Sequence, residues 1–212
     1  MATLLEIRTA LNGEIGVTTD AETTPWTQAV RNQAIVDGYA ALYRAGVWKA
    51  VAQDIATVAD AFTYALTSIR RLDRIDLLDS SSRLLESPRA VVEDDGAGGW
   101  QLRLTNGVTI AAGSTLRVRG WAAYVSTFAS DAAVDDLPAE HARVPRLKAK
   151  AILWRQQLGL FARYGERQAI PPEMNLTVDQ FIGMVAAAER EFEVEAKALA
   201  NLRPRSGQAR RI

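Results

Sequence analysis

The sequence predicts an α+β fold, in which helices from both ends of the chain form one antiparallel bundle around an inserted small antiparallel β domain. Three observations predict it: apolar residues repeat at helical spacing near both ends, they alternate at strand spacing in the middle, and a basic, breaker-rich segment follows the last helix. The predicted boundaries are 1–48 for the N-terminal helices, 49–125 for the β insertion, 126–202 for the C-terminal helices and 203–212 for a flexible basic tail.

The N-terminal part is predicted to form two helices. The first covers about 3–12 and stops at Gly13, and its apolar face is formed by Leu4, Ile7 and Leu11. The second begins at Thr24-Pro25, because threonine is a good N-cap and proline is tolerated in the first helical turn. It includes Trp26 and ends near Gly46.

The middle of the chain predicts five or six short strands in an antiparallel meander, folded into a small sandwich or half-barrel. Glu93–Gly99 is a glycine-rich turn, and Asn106-Gly107 predicts a tight hairpin. Trp100 and Trp121 flank that hairpin and are interpreted as core residues, with stacking on nucleic-acid bases as the alternative. The strand candidates are 51–57, 62–66, 69–78, 90–92, 100–104 and 116–120.

A connector over 126–136 leads back into helix. Helix re-enters at Leu137-Pro138, restarts at Val144-Pro145 and runs to about Tyr164. We expect this helix to meet the second helix in space, because both halves of the bundle must bury their apolar faces against each other.

The last helix is predicted over about 178–202. Ile170-Pro171-Pro172 breaks the chain before it, Thr177 and Gln180 form a capping box, and Pro204 ends it. Its apolar stripe consists of Phe181, Met184, Val185, Phe192 and Leu199.

Composition and charge exclude several classes of protein. Hydrophobic residues make up 48% and charged residues 24%, which is typical of a soluble globular protein. The charges of the 25 basic and 25 acidic residues cancel, whereas a protein that functions only by binding nucleic acid usually carries a basic excess. The chain has no cysteine, so disulfides, thiolate nucleophiles and cysteine-ligated metals are excluded. No secretory signal or membrane-length apolar run is recognisable, so we expect a soluble protein made in the cytoplasm.

Two motifs that could carry chemistry have simpler interpretations. His141 is the only histidine, and a serine hydrolase would need it as the base, yet no Gly-x-Ser-x-Gly elbow supplies a nucleophile. His141 is therefore interpreted as a surface or capping residue. Gly96–Gly99 resembles a phosphate loop, but Trp100 begins a predicted strand where such a loop needs a helix. A hairpin turn is the better interpretation.

Three acidic clusters could in principle do acid–base work if buried. Asp94-Asp95 and Asp135-Asp136 lie in predicted turns and are expected to be solvated. The third cluster lies on the last helix, where a wet helix face or an electrostatic contact with a neighbouring subunit is expected instead of catalysis. Its members are Glu189, Glu191, Glu193 and Glu195.

Basic residues occur in two different settings. Those of the strand over 69–78 stand among aspartates, which favours cross-strand ion pairs over a nucleic-acid patch; they are Arg70, Arg71 and Arg74. The tail is uniformly basic, and its breakers prevent helix, so it is either a solvated terminus or a segment that orders on a partner. Its arginines are Arg203, Arg205, Arg210 and Arg211.

The order of elements resembles that of head-to-tail adaptor proteins of tailed bacteriophages, the neck proteins that sit beneath the portal. A short first helix beginning at Ala2-Thr3-Leu4 precedes a second that ends in Ala41–Arg44. A β insertion follows with Tyr64–Leu66 and Trp100–Leu104, and helix returns at Leu137–Glu140. The resemblance covers nearly the whole chain as an order of elements, without a single defining motif.

The resemblance implies a structural virion protein with no catalysis and no cofactor. It implies a ring, usually dodecameric, that docks on the portal protein, contacts tail or further neck proteins, and lets packaged DNA pass without specific binding. The protein would be found in the virion neck, after synthesis in the host cytoplasm, and not in a membrane. In this family the segment after the last helix often reaches the portal, which here means Arg203, Arg205, Arg210, Arg211 and Ile212.

Two hypotheses from other classes stay open at this point. One is a small soluble enzyme whose carboxylates converge only in the folded chain. The other is a nucleic-acid-binding module that uses the basic tail.

Overall fold

The computed structural model of the protein describes residues 1–17, 26–105, 110–124, 128–164 and 178–201, with the side chains of all but 160–164. Within these residues the fold is α+β, with four α-helices and two antiparallel sheets, as the sequence predicts. The described chain divides into two compact units. A helical unit contains Met1–Val47 and the described residues from Tyr124 onward, and a β unit contains Trp48–Ala123.

The helical unit is built from α1 (Leu4–Ile15), α2 (Gln28–Arg44), α3 (Arg143–Tyr164) and α4 (Val178–Asn201). A 3-10 helix, Ala139–His141, precedes α3, so the predicted re-entry and restart of helix are confirmed. The predicted start of the last helix is confirmed as well. The breakers and the cap proposed around it, Ile170-Pro171-Pro172, Thr177 and Pro204, lie outside the described residues.

Helix α1 begins where the sequence predicts and ends one turn later. Thr3 is the N-cap: its hydroxyl accepts from the Glu6 backbone N–H at 3.2 Å, and its own N–H donates to the Glu6 carboxylate at 2.7 Å. The predicted stop at Gly13 is wrong, since the helix continues to Ile15 and is capped by Gly16 at φ 75°. Ile15 is fully buried, and that burial outweighs the roughly 1 kcal/mol that a glycine costs inside a helix.

Helix α2 begins later than predicted. Thr24 and Pro25 lie outside the described residues, and the N-cap is Thr27, whose hydroxyl accepts from the Val30 N–H at 3.4 Å. Trp26 therefore precedes the helix. It is buried, and its indole N–H donates to the Leu153 carbonyl of α3 at 3.2 Å, so tertiary contact fixes this residue and not helical propensity. The predicted end near Gly46 is confirmed.

The core of the helical unit forms where α2 packs on α3, as expected for one bundle built from both chain ends. The closest approach is at Gly38, where a Cβ atom would overlap the carbonyl oxygen of Pro145. Helix α4 packs on α3 in turn, with the rings of Trp154 and Phe181 5.9 Å apart. The predicted stripe of α4 is confirmed at its buried positions, Phe181, Val185 and Phe192.

The β unit contains seven strands in the part of the chain that the structure describes. They are β1 (Lys49–Ala56), β2 (Thr63–Leu66), β3 (Arg71–Leu78), β4 (Leu84–Glu86), β5 (Ala90–Asp94), β6 (Trp100–Leu104) and β7 (Thr115–Ala122). The six predicted strands are confirmed, and β4 is the one that the pattern missed. All three residues of β4 are exposed at a sheet edge, so burial imposes no alternation on them.

The strands form two sheets in place of the predicted meander. One has the order β1-β7-β3-β4 and the other β2-β6-β5. The hairpin predicted between Trp100 and Trp121 is wrong, because β6 and β7 belong to different sheets; Asn106-Gly107 lies outside the described residues. Leu102 of β6 and Leu116 of β7 are both fully buried in a common core. The burial of both strands in this core therefore determines which strands pair, and the turn signal at Asn106-Gly107 does not.

The first and last strands of the β unit are neighbours. Strand β1 pairs antiparallel with β7 along its whole length, from Lys49 opposite Ala122 to Ala56 opposite Thr115. The segment thus enters and leaves the β unit at adjacent positions, which is the usual geometry of a domain inserted into another.

We expect Gly38→Ala to lower the free energy of unfolding by about 1–3 kcal/mol, because the added methyl group meets a backbone carbonyl that cannot move without shifting α3. Gly13→Ala is the matched control, since a Cβ there meets no atom within 4 Å. It should stabilise the protein by about 0.5–1 kcal/mol through helix propensity. Urea unfolding followed by tryptophan fluorescence checks both. A Gly38→Ala protein as stable as the Gly13→Ala protein would contradict the packing described.

Candidate functional site

The connector before α3 lies against the first residues of the chain. Thr3 and Val134 form an antiparallel bridge, and the connector carbonyls of Ala133 and Asp131 accept from the N–H groups of Leu4 and Leu5 at 3.0 and 3.1 Å. These N–H groups belong to the first turn of α1, and the N–H groups of a first turn have no acceptor within their own helix. The connector is therefore a structural clamp on α1.

Asp135 lies at the centre of this clamp. It is only 1% exposed, and its two oxygens accept from the Ala2 N–H at 2.6 Å and from the Tyr39 hydroxyl. The prediction of a solvated Asp135-Asp136 pair is wrong for Asp135, because the Ala2 N–H and the Tyr39 hydroxyl provide buried hydrogen-bond donors for its carboxylate. Burial, with the hydrogen bond to Asp135 and its charge, raises the pKa of Tyr39 well above its ordinary value.

A buried arginine completes the clamp. Arg8 of α1 is fully buried, and its guanidinium donates to both carboxylate oxygens of Asp131 at 2.7 and 2.8 Å. Its Nη1 also donates to the Asn32 side-chain oxygen of α2 at 3.0 Å. A buried charge with a bidentate partner is stable only while both partners remain. Asp131 and Asp135 are thus both engaged in holding the fold.

The glutamates of α4 form ion pairs with α3 of the same chain. Glu189 pairs with Lys148 at 3.3 Å and with Arg155. Arg143 donates to both Glu191 and Glu195, the latter at 2.9 Å. The ion pairs leave these three side chains partly exposed, and the predicted contact with a neighbouring subunit stays a prediction. Glu193 alone of the four is exposed.

The structure places both motifs that could carry chemistry. Asp95 accepts from the N–H groups of Ala97 and Gly99 at 2.8 Å each, and Gly96 has φ 78°, so Gly96–Gly99 is a hairpin turn as predicted. Strand β6 follows it and not a helix. His141 ends the 3-10 helix, half-buried. In the part of the chain that the structure describes, no three side chains are grouped to hold a metal ion.

The arginines of β3 do not pair as predicted. A bulge at Asp73 shifts the register of the strand against β7. Arg74 pairs with Asp76 of its own strand at 2.7 Å, and a cross-strand pair of this sheet joins Arg117 of β7 to Asp54 of β1. The guanidinium of Arg71 lies 5.1 Å from the ring centroid of Trp48.

The tail residues proposed to bind a partner, Arg203, Arg205, Arg210, Arg211 and Ile212, lie outside the described residues. Their role stays a prediction. No helix among the described residues has both the length and the apolar character that a membrane crossing requires.

Comparison with known proteins gives a sparse result. No protein-family model matches the chain, and no curated protein matches it. Six chains of solved structures match. One is described as the neck of an empty GTA particle computed with C6 symmetry; it is 11% identical, the match covers 85% of this chain and 87% of that one, and the TM-score is 0.32. Two chains with so low a TM-score need not share a fold.

We expect stability to fall as the pH rises above about 10, where the unfolded chain loses the Tyr39 proton and the folded protein keeps it. Below that pH the contribution of the raised pKa is fully present. This group alone adds a slope of about 1.4 kcal/mol per pH unit. Tyr39→Phe removes that slope, and at neutral pH it costs about 1–3 kcal/mol because Asp135 loses a donor. Urea unfolding of both proteins between pH 8 and about 11 tests this; equal slopes would contradict it.

Proposed function

We propose that the protein is a structural component of the neck of a tailed-phage-like particle, a head-to-tail adaptor whose copies form a ring. The observation that carries this proposal is the arrangement of the chain. Helices from both ends form one compact unit, and a β unit is inserted between them with its first and last strands paired. This is the organisation that the resemblance to head-to-tail adaptors implies.

The polar side chains of the helical unit support a structural role. Asp135 has a donor on each oxygen, Asp131 is held by Arg8, and Glu189 by Lys148 and Arg155. A general acid or base must be able to reach a substrate. Carboxylates saturated by the protein itself are suited to fixing helices and not to turnover.

The ring, usually dodecameric in the family, would dock on the portal protein, contact tail or further neck proteins, and continue the DNA channel. Head-to-tail contacts close a ring when the rotation between subunits suits. The zero net charge of the chain supports a channel through which DNA passes, because a strongly basic lumen would hold the phosphates.

The C-terminal tail is the proposed portal-binding segment. Arg203, Arg205, Arg210 and Arg211 have no acidic residue among them, and Ile212 adds an apolar end. Guanidinium groups bind carboxylates in a bidentate manner, so a tail of this composition suits an acidic surface on a partner ring.

Deletion of 203–212 should leave the fold intact and weaken binding to the portal ring of the same particle by at least about tenfold, or 1.4 kcal/mol. Urea unfolding checks the fold, and co-sedimentation with purified portal rings checks binding. A full-length control with the four tail arginines replaced by lysine keeps the charge and tests whether the guanidinium fork matters.

The contrary outcomes are also specific. A truncated protein that binds portal rings as tightly as the full chain would contradict the role of the tail. Tight binding of duplex DNA by the full chain, lost on the same deletion, would favour the nucleic-acid-binding module instead.

A further inference from the structure

The outer face of the sheet formed by β1, β7 and β3 carries charged side chains in rows across the strands. In one row Asp54, Arg117 and Asp76 are register partners. Arg117 donates to both oxygens of Asp54 at 2.8 Å, and these hydrogen bonds lower the pKa of Asp54. Asp76 accepts from Arg74 at 2.7 Å and from Ser87 at 3.0 Å. The charges of this row are therefore matched within the sheet.

The next row carries two arginines, of which Arg74 is already bound by Asp76. Its members are Ala52, Arg119 and Arg74, which we call the arginine row. Arg119 is exposed and forms no ion pair with any residue that the structure describes. Asp54, whose pKa its charge helps to lower, is already bound by Arg117. Like charges directly opposite each other destabilise a sheet. Ala52 stands where a carboxylate would neutralise the row, and its small side chain leaves room for one from outside.

A complementary group exists on the same β unit. The turn between β5 and β6 carries Asp94 and Asp95, both exposed, which we call the acidic tip. Asp94 Oδ1 accepts from the Gly96 N–H at 2.7 Å, and Asp95 Oδ1 accepts from the Ala97 and Gly99 N–H groups. Neither Oδ2 accepts a hydrogen bond from the described residues. The turn is thus held in shape with two carboxylate oxygens available, which lowers the entropic cost of docking.

We propose that the acidic tip of one copy docks on the arginine row of the next copy. This inference rests on the proposed function, because two different patches on one chain form a head-to-tail contact, the type that closes into a ring. Arginine already binds aspartate on this face in a bidentate manner, at Arg117 and Asp54, and the same geometry would repeat between copies.

A second copy fits this face better than a nucleic acid does. Asp54 and Asp73 lie exposed on or beside the rows, and a continuous phosphate backbone would meet both of them. A short tip with two carboxylates can reach Arg119 and Arg74 and avoid the others. The balanced charge of the chain agrees with self-association through opposite patches.

Cysteine cross-linking tests the contact, because the chain has no cysteine of its own. The full chain with Ala52→Cys and Ala97→Cys carries one thiol at the arginine row and one at the acidic tip. Under mild oxidation at low salt we expect a ladder of covalent oligomers on a non-reducing gel. Each single variant can give a dimer at most. The ladder should weaken in about 1 M salt, where the screening length is about 3 Å.

Charge reversal provides the matched control. Arg74→Glu with Arg119→Glu in the double-cysteine chain should abolish the ladder. Arg83→Glu, at another exposed arginine of the same unit, should leave it unchanged. Asp94→Asn with Asp95→Asn keeps the acceptors that fix the turn and removes the charge, and it should reduce the ladder as well.

The outcomes separate this contact from the proposed function. A double-cysteine chain that gives no ladder, or a ladder that survives reversal of Arg74 and Arg119, overturns the contact. Portal binding of the same variants is measured in parallel. A double-cysteine chain that binds the portal ring but gives no ladder would contradict the contact and not the adaptor role. The double-cysteine chain could instead give no ladder and bind duplex DNA, with binding lost only when Arg74 and Arg119 are reversed. That result would assign the row to nucleic acid and overturn the inference.

Discussion

The close packing of α2 on α3 at Gly38 is the constraint on which the rest of the structure depends. These helices are far apart in the sequence, and only a glycine lets the backbone of Pro145 come so near. Their contact joins the two ends of the chain in one core. Helix α4 then packs on α3 through Phe181, and the segment between α2 and α3 is free to form a unit of its own.

Polar interactions fix what the apolar core leaves undetermined. An apolar stripe says which face of α1 is buried, but Arg8 and Asp131 decide where along the connector that helix lies. Asp135 holds Ala2 and Tyr39 in the same way. Burying a polar or charged side chain costs free energy, and leaving it buried without a partner costs more. These pairs therefore select one arrangement of the helices among many that bury a similar apolar area. That kind of precision would suit the ring subunit that we propose.

The sequence predicts local elements well where one face is buried. Leu4, Ile7 and Leu11 revealed α1, and the alternation around Leu102 revealed β6, because burial imposes a period on the residues. It could not predict that β6 and β7 lie in different sheets, since pairing depends on contacts distant in the chain. The cap at Thr3 could have been found from its spacing to Glu6. The inward turn of Asp135 could not, because its donors come from Ala2 and α2.

The candidate site follows the same rule. The tail stands out by composition alone, whereas the position of Arg119 opposite Arg74 appears only once the register of β7 is known. We propose that the molecule contacts its neighbours through these two surfaces. Electron cryomicroscopy of tailed particles that contain this chain tests that claim most directly. We predict a ring of copies between the portal and the tail, and particles whose neck lacks the chain would contradict this role.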